Sequence, residues 1–296
     1  MQFQSGNKTI IPNVLYPWFT GTIPASGPFS LKLFSNFDEP ILPLAHHTNI
    51  ISFLSSPTSF LYSIHIDSIV HPQDIDVLTK GLQWNISLKE LVLPCVELDA
   101  CDSNEFLKVL GRLSQLEFLD ISFNNLTHSQ LKSYWDGLTN QTKTNYNPDP
   151  LLVLNPNEEK KFNRHHHHHH LKVLNLSFNE FGTEGAHIIV DMLIQSLLPL
   201  EELYLEGCGL HDFGVRDIIH AIQQNDTSTL KILHLGKNNI GENGFFSILK
   251  LLQTHSFIQT IYTDDLMERR IGEPLQKLDS NLKILLEKTG KWRITT

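Results

Sequence analysis

From Leu171 onward, in LKVLNLSFNEF, apolar residues follow a fixed spacing: Leu171, Leu174 and Leu176, then Asn179 and Phe181. The spacing returns as Leu230, Leu233, Leu235, Asn238 and Ile240, and as Leu200, Leu203, Leu205, Cys208 and Leu210. Apolar residues two apart predict a short strand with those side chains on one face, because successive strand residues alternate sides. Each Asn or Cys is followed six residues later by a glycine, at Gly185, Gly214 and Gly244. Apolar stretches at helical spacing then follow, such as Ile188, Ile189, Met192 and Leu193. Each unit therefore reads as strand, corner and helix.

Upstream, Leu116, Leu119, Ile121, Asn124 and Leu126 repeat the pattern, and so do Leu88, Leu91, Leu93 and Leu98, with Val96 where Asn is expected. Leu61, Ile64, Ile66 and Ile69 form a weaker unit, and Ile258, Ile261 and Leu266 another. The units start at 61, 88, 116, 171, 200, 230 and 258, which are 27 to 30 residues apart except for one interval of 55. That interval is about one period plus an insertion of similar length. A fixed period of this size marks stacked repeats that share one core.

These residues resemble the leucine-rich repeats of the ribonuclease-inhibitor class, over about 61–270 and most strongly over 171–250. The resemblance implies an α/β solenoid: a curved horseshoe with parallel strands on its concave face and helices on its convex face. Asn124, Asn179 and Asn238 then read as a buried ladder bonding the backbone of neighbouring turns, since buried amides must be hydrogen-bonded. Cys208 reads as a common variant at that position and as a buried small side chain. The three glycines read as close-packing points at the strand-to-helix corner.

A solenoid exposes its core at both ends unless atypical units close it. Residues 1–60 fit an N-terminal cap, with PFSLKLFSN as a degenerate first strand; 61–270 are the repeats, and 271–296 a C-terminal cap. In that cap Leu275, Leu278, Leu282, Leu285 and Leu286 predict an amphipathic helix before a short strand. The extra residues, about 141–170, are rich in Asn, Pro and charge without amphipathic period, and read as a disordered insertion. It ends in His165 to His170. A homopolymer in a loop supplies neither converging ligands nor second-shell partners, so it is read as no metal site and as a tract the fold ignores.

Composition narrows the chemistry. A formal charge of −9, from 23 basic and 32 acidic residues, disfavours a general nucleic-acid binder. Three cysteines without a CxxC pair suggest neither a disulfide framework nor a thiolate zinc site. No signal-peptide pattern and no membrane-length apolar run occurs, so the chain reads as cytoplasmic, with no membrane partner. HExxH, GxSxG and phosphate-binding glycine motifs are absent, so no enzyme activity, cofactor or small-molecule substrate is expected.

Function is expected on the strand face. Alternation places positions 3, 5 and 7 of each unit outward. Position 5 gives His65, Val92, Asp120, Asn175, Tyr204, His234 and Tyr262; position 3 includes Glu90, Phe118 and Glu202; position 7 includes Ser122, Ser177, Glu206 and Asp264. This surface is acidic with aromatic patches and lacks Arg, which suits a basic protein partner bound by a non-enzymatic scaffold or recognition subunit. The candidate contacts are His65, Phe118, Asp120, Asn175, Glu202, Tyr204, Glu206, His234, Tyr262 and Asp264. Ran GTPase-activating proteins share this repeat, which leaves a GTPase regulator as the alternative. Some GTPase activators supply an arginine to the developing phosphate charge, yet none of Arg112, Arg164, Arg216, Arg269, Arg270 and Arg293 falls at a strand-to-helix corner of the N-terminal repeats.

Overall fold

Short strands recur where the apolar spacing places them. The computed structural model describes residues 2–5, 8–10, 29–34, 54–55, 61–67, 72–139, 169–225, 228–254, 257–264, 283–286 and 291–295. The repeat strands are β4 (Leu61–Asp67), β5 (Glu90–Val92), β6 (Phe118–Asp120), β7 (Val173–Asn175), β8 (Glu202–Tyr204), β9 (Ile232–His234) and β10 (Thr260–Asp264). Each pairs in parallel with the next. Helices α1 (Pro72–Leu82), α2 (Asn104–Arg112), α3 (His128–Thr139), α4 (Gly182–Ile194), α5 (His211–Gln224) and α6 (Glu242–Thr254) carry the chain between strands. This is the expected α/β leucine-rich-repeat solenoid. β6 pairs directly with β7, so the long interval between Leu116 and Leu171 adds no strand between them.

At the N-terminal end, β3 (Phe29–Phe34) lies parallel to β4, with β1 (Gln2–Ser5) and β2 (Lys8–Ile10) antiparallel beyond it. At the other end, β12 (Lys291–Thr295) pairs antiparallel with β10, and β11 (Lys283–Leu286) with β12. Leu285 and Leu286 therefore lie in a strand, not in the amphipathic helix their spacing predicts. A run with two adjacent leucines satisfies both periods, and pairing with β12 decides it. Leu275, Leu278 and Leu282 lie outside the described residues, as do Leu266 and the insertion expected at about 141–170, apart from its last two histidines. Those two belong to the fold: His169 is buried beside Met192, Leu193 and Leu200 at a cavity of about 540 Å³, and the His170 N–H donates to Ser114 O at 3.1 Å.

Positions 1, 4 and 6 of the units from 61 to 230 are buried throughout, as in Leu171, Leu174, Leu176, Leu200, Leu203 and Leu205. The inner faces of the helices close over them through residues such as Phe106, Tyr134, Ile189, Ile218 and Ile248. A Cβ at Gly214 would stand 2.9 Å from that of Ala186, so this glycine lets α5 settle on α4. At the next step the Asp212 carboxylate accepts from Gly241 N and Gly244 N at 2.5 and 3.1 Å, so one repeat caps the helix of the next.

The asparagine ladder holds the turns where strands leave the sheet. Asn179 Oδ1 accepts from Asn124 N (3.2 Å) and Leu126 N (2.9 Å), and its Nδ2 donates to Ile121 O (3.0 Å) and Leu176 O (2.8 Å). Asn124 serves Val96 N, Leu98 N and Leu93 O, and Asn238 serves Cys208 N, Leu210 N and Leu205 O. Cys208 has only a weak thiol for this role, with Sγ donating to Leu176 O at 3.3 Å, and burial pushes that thiol up to about 12.

Three substitutions separate these contributions. Leu203→Ala should cost about 2–5 kcal/mol in denaturant unfolding, the range for truncating a buried leucine. Asn179→Ala leaves several buried backbone groups without partners, each worth about 1–3 kcal/mol, so its loss should exceed that of Cys208→Ala by at least about 1 kcal/mol. Equal costs for the last two would mean that the amide ladder adds nothing beyond a filled volume.

Candidate functional site

Strand register sets the geometry of the solvent-facing side of the sheet. His65, Val92, Asp120, Asn175, Tyr204, His234 and Tyr262 fall in one row, and Ser63, Glu90, Phe118, Val173, Glu202, Ile232 and Thr260 in the row beside it. Eight of the ten candidate contacts thus lie in these two rows, whereas Glu206, at position 7, departs from the expected exposure. It is only 8% exposed, and its carboxylate lies 3.5 Å from Lys237 Nζ. Ser122 and Ser177, also at position 7, are buried too. Backbone bonds such as Cys95 N to Ser122 O and Phe123 N to Ser177 O hold this position against the next repeat, and Ser122 Oγ folds back to donate to Asp120 Oδ1 at 2.6 Å, so position 7 is covered. Asp264, at position 7 of the last unit, pairs in register with Lys291 of β12.

Neighbouring strands lie about 4.8 Å apart, so rings at one register position are brought close to stacking distance. Tyr204 and His234 stack at 4.2 Å, and His234 and Tyr262 at 4.0 Å. Tyr204 is therefore not the isolated anchor that alternation suggests but one end of a three-ring stack. Its hydroxyl donates to Glu202 Oε2 at 2.5 Å. Burial, followed by this bond to Glu202, pushes the Tyr204 phenol well above its ordinary value, so it remains a donor.

Charge divides sharply between rows. At position 2 the repeats present Lys89, Glu117, Lys172, Glu201 and Lys231 in succession, with Glu117 3.1 Å from Lys89 and 3.4 Å from Lys172, and Glu201 2.5 Å from Lys231. The hydrogen bond from Lys89 and the charges of Lys89 and Lys172 hold the Glu117 carboxyl below its ordinary value, and Lys231 does the same to Glu201. That edge neutralises itself. One row further in, Asp120 accepts from neutral partners, Asn175 Nδ2 at 3.0 Å and Ser122, and Glu202 from Tyr204. Among the described residues no cation stands within ion-pair distance of Glu90, Asp120 or Glu202.

Position 8, which the alternation argument does not reach, supplies the outward side chains that position 7 lacks. Cys95, Phe123, Phe178, Gly207 and Lys237 all have left-handed backbone there, with φ of 54°, 57°, 56°, 66° and 56°. This conformation costs L-residues roughly 1–2 kcal/mol. Phe123 and Phe178 stack at 4.1 Å with planes 12° apart, Phe123 is 49% exposed, and Lys237 Nζ sits 4.8 Å from the Phe178 ring centroid. A signal for this pair was present: each phenylalanine immediately precedes a ladder asparagine, in SFNN and SFNE.

A family model described as Leucine Rich repeat matches residues 167–187 and 228–249. Ribonuclease inhibitor of Sus scrofa is 32% identical over 93 residues, 31% of this chain and 20% of that protein. The chain is a ribonuclease-inhibitor-like leucine-rich-repeat protein. Tonsoku-like protein of Danio rerio is 24% identical over 186 residues, covering 62% of the chain and 11% of that protein. NACHT, LRR and PYD domains-containing protein 2 of Homo sapiens is 27% identical over 129 residues, covering 41% and 12%. The chain spans a fifth or less of the length of each of these relatives. Leucine-rich repeats of this kind serve as protein–protein interaction modules. Among the described residues of this leucine-rich-repeat protein, Arg112 and Arg216 lie on helices beside Glu105 and Asp217, and no helix is long and apolar enough to cross a membrane.

The charge ladder and the ring stack can each be checked in solution. Glu117 and Glu201 have lowered folded values, so their contribution to stability is complete above the ordinary carboxylate value of 4.5 and is lost as pH falls through the lower folded one. A Glu117→Gln, Glu201→Gln variant should therefore melt below the wild type at neutral pH and converge with it in acid. For the stack, a double-mutant cycle with Tyr204→Ala and His234→Ala should give a coupling of about 0.5–1.5 kcal/mol in thermal unfolding. Additive losses would show that the rings do not support one another.

Proposed function

We propose that this leucine-rich-repeat protein is a non-enzymatic scaffold or recognition subunit that binds a basic protein segment along the strand face. The observation that carries the reading is the division of charge: the position-2 edge is neutralised within the fold, while Glu90, Asp120 and Glu202 bond the neutral Tyr62, Asn175 and Tyr204 and, among the described residues, pair with no cation. A partner's Lys and Arg side chains supply the missing counter-charge. The Tyr204–His234–Tyr262 stack adds a preorganised aromatic surface beside these carboxylates, of the kind that anchors protein interfaces. His65, Phe118 and Asn175 extend the same two rows, and Asp264 lies at the C-terminal end of the sheet. The reading involves no cofactor, nucleic acid, membrane or small-molecule substrate, and free thiols at Cys95, Cys101 and Cys208 fit a reducing, cytoplasmic setting.

Fluorescent peptides of repeated Arg-Ala-Gly and Glu-Ala-Gly, matched in length, test the reading by anisotropy. The wild type should bind the basic peptide more tightly, and the difference should shrink as added salt brings the Debye length below its physiological value of about 8 Å. Asp120→Lys with Glu202→Lys should abolish the preference, with circular dichroism establishing that the variant is folded despite the lost bonds to Asn175, Ser122 and Tyr204. Asp217→Lys, on helix α5, should preserve the preference. Equal binding of the two peptides by the wild type, or loss of the preference in the α5 variant, would move recognition off the strand face.

A further inference from the structure

We propose that Phe123 and Phe178 form an apolar step on the rim of the strand face that seats an aromatic side chain of the bound basic segment; this rests on the reading above. Three observations converge on the pair. First, both residues hold left-handed backbone, which a bulky side chain adopts only under strain, while the same turn in the next repeat uses Gly207 without that cost. Folding stability does not call for rings there. Second, the two side chains stack face to face across adjacent repeats, and Phe123 remains half exposed although this is a large apolar group. Third, the rim already accommodates a cation beside a ring. Lys237 extends past Gly207, where a Cβ would lie 2.8 Å from the Phe178 ring, and places its ammonium over that ring and against Glu206.

The occupant follows from the charges next to the step. Asp120 lies three residues before Phe123 on the same repeat, and Asn175 bonded to it lies three residues before Phe178. A segment crossing the rim therefore meets a carboxylate and an aromatic step in immediate succession. Alternating cationic and aromatic side chains match that order. A second copy of this chain would bring the same uncompensated carboxylates against these, on a molecule with a formal charge of −9, and is disfavoured by repulsion.

Peptides of repeated Arg-Phe-Gly, Arg-Ala-Gly and Glu-Phe-Gly, equal in length, distinguish the rim from the strand face. Wild type should bind Arg-Phe-Gly about tenfold more tightly than Arg-Ala-Gly in anisotropy titrations. A Phe123→Asn, Phe178→Asn variant should lose this preference and bind Arg-Ala-Gly as the wild type does, because asparagine tolerates left-handed backbone and keeps the turns. Circular dichroism and thermal unfolding establish that the variant is folded. Equal wild-type affinity for the two arginine peptides, or a preference that survives in the variant, overturns the rim proposal and leaves the strand-face reading standing. Failure to discriminate Arg-Phe-Gly from Glu-Phe-Gly overturns both. Concentration-dependent self-association in sedimentation velocity, abolished in the variant, identifies a second copy as the occupant and also overturns the proposal.

Discussion

Where each short parallel strand turns away from the sheet, some of its interior backbone groups find partners in the next repeat, as Cys95 N does at Ser122 O and Phe123 N at Ser177 O, and others do not. In three of the turns a buried amide serves the remaining groups, and the stacking of the repeats depends on it. Asn124, Asn179 and Asn238 each accept from two backbone N–H groups of the preceding turn and donate to carbonyls on both turns. A side chain with both a donor and an acceptor is needed for this, which is why leucine or valine cannot substitute at equal cost. Cys208 shows a weaker version of the same contact, a thiol that bonds Leu176 O and Glu206 O in place of an amide.

Fixing every turn in the same way fixes the lateral offset between repeats, and the surface chemistry follows. Side chains at equal register are held near the strand spacing, so rings stack with rings and opposite charges pair with opposite charges. This is how Tyr204, His234 and Tyr262 become one surface although 28 or more residues separate each from the next. It is also how Lys89, Glu117 and Lys172 neutralise one another across three repeats. The left-handed residue after each strand then directs a fourth row outward along the rim, where Phe123 and Phe178 meet.

The insertion between α3 and β7 shows how little the solenoid needs contiguous sequence. Leu119 and Leu174 are direct register partners across the long interval, with the same three-residue pairing as their neighbours. The ladder crosses that gap as well, through Asn179 Oδ1 and the backbone of Asn124 and Leu126. The end of the histidine tract is drawn into this continuity, with His169 buried and His170 bonded to Ser114.

Sequence alone determined the repeat, its inward leucines, the ladder positions and the identity of the strand rows. All of these follow from local order: a two-residue alternation within each strand and a period near 28 between strands. Tertiary structure alone decided which outward positions are available. Position 7 is covered and position 8 exposed because the chain enters a left-handed turn at position 8, which strict alternation does not describe. Whether a carboxylate remains uncompensated is likewise set by what the fold brings beside it, as Glu201 finds Lys231 of the next repeat and Glu202 finds Tyr204 of its own strand. Adjacent residues thus acquire opposite electrostatic fates, because their partners are 30 residues away for the first and two for the second.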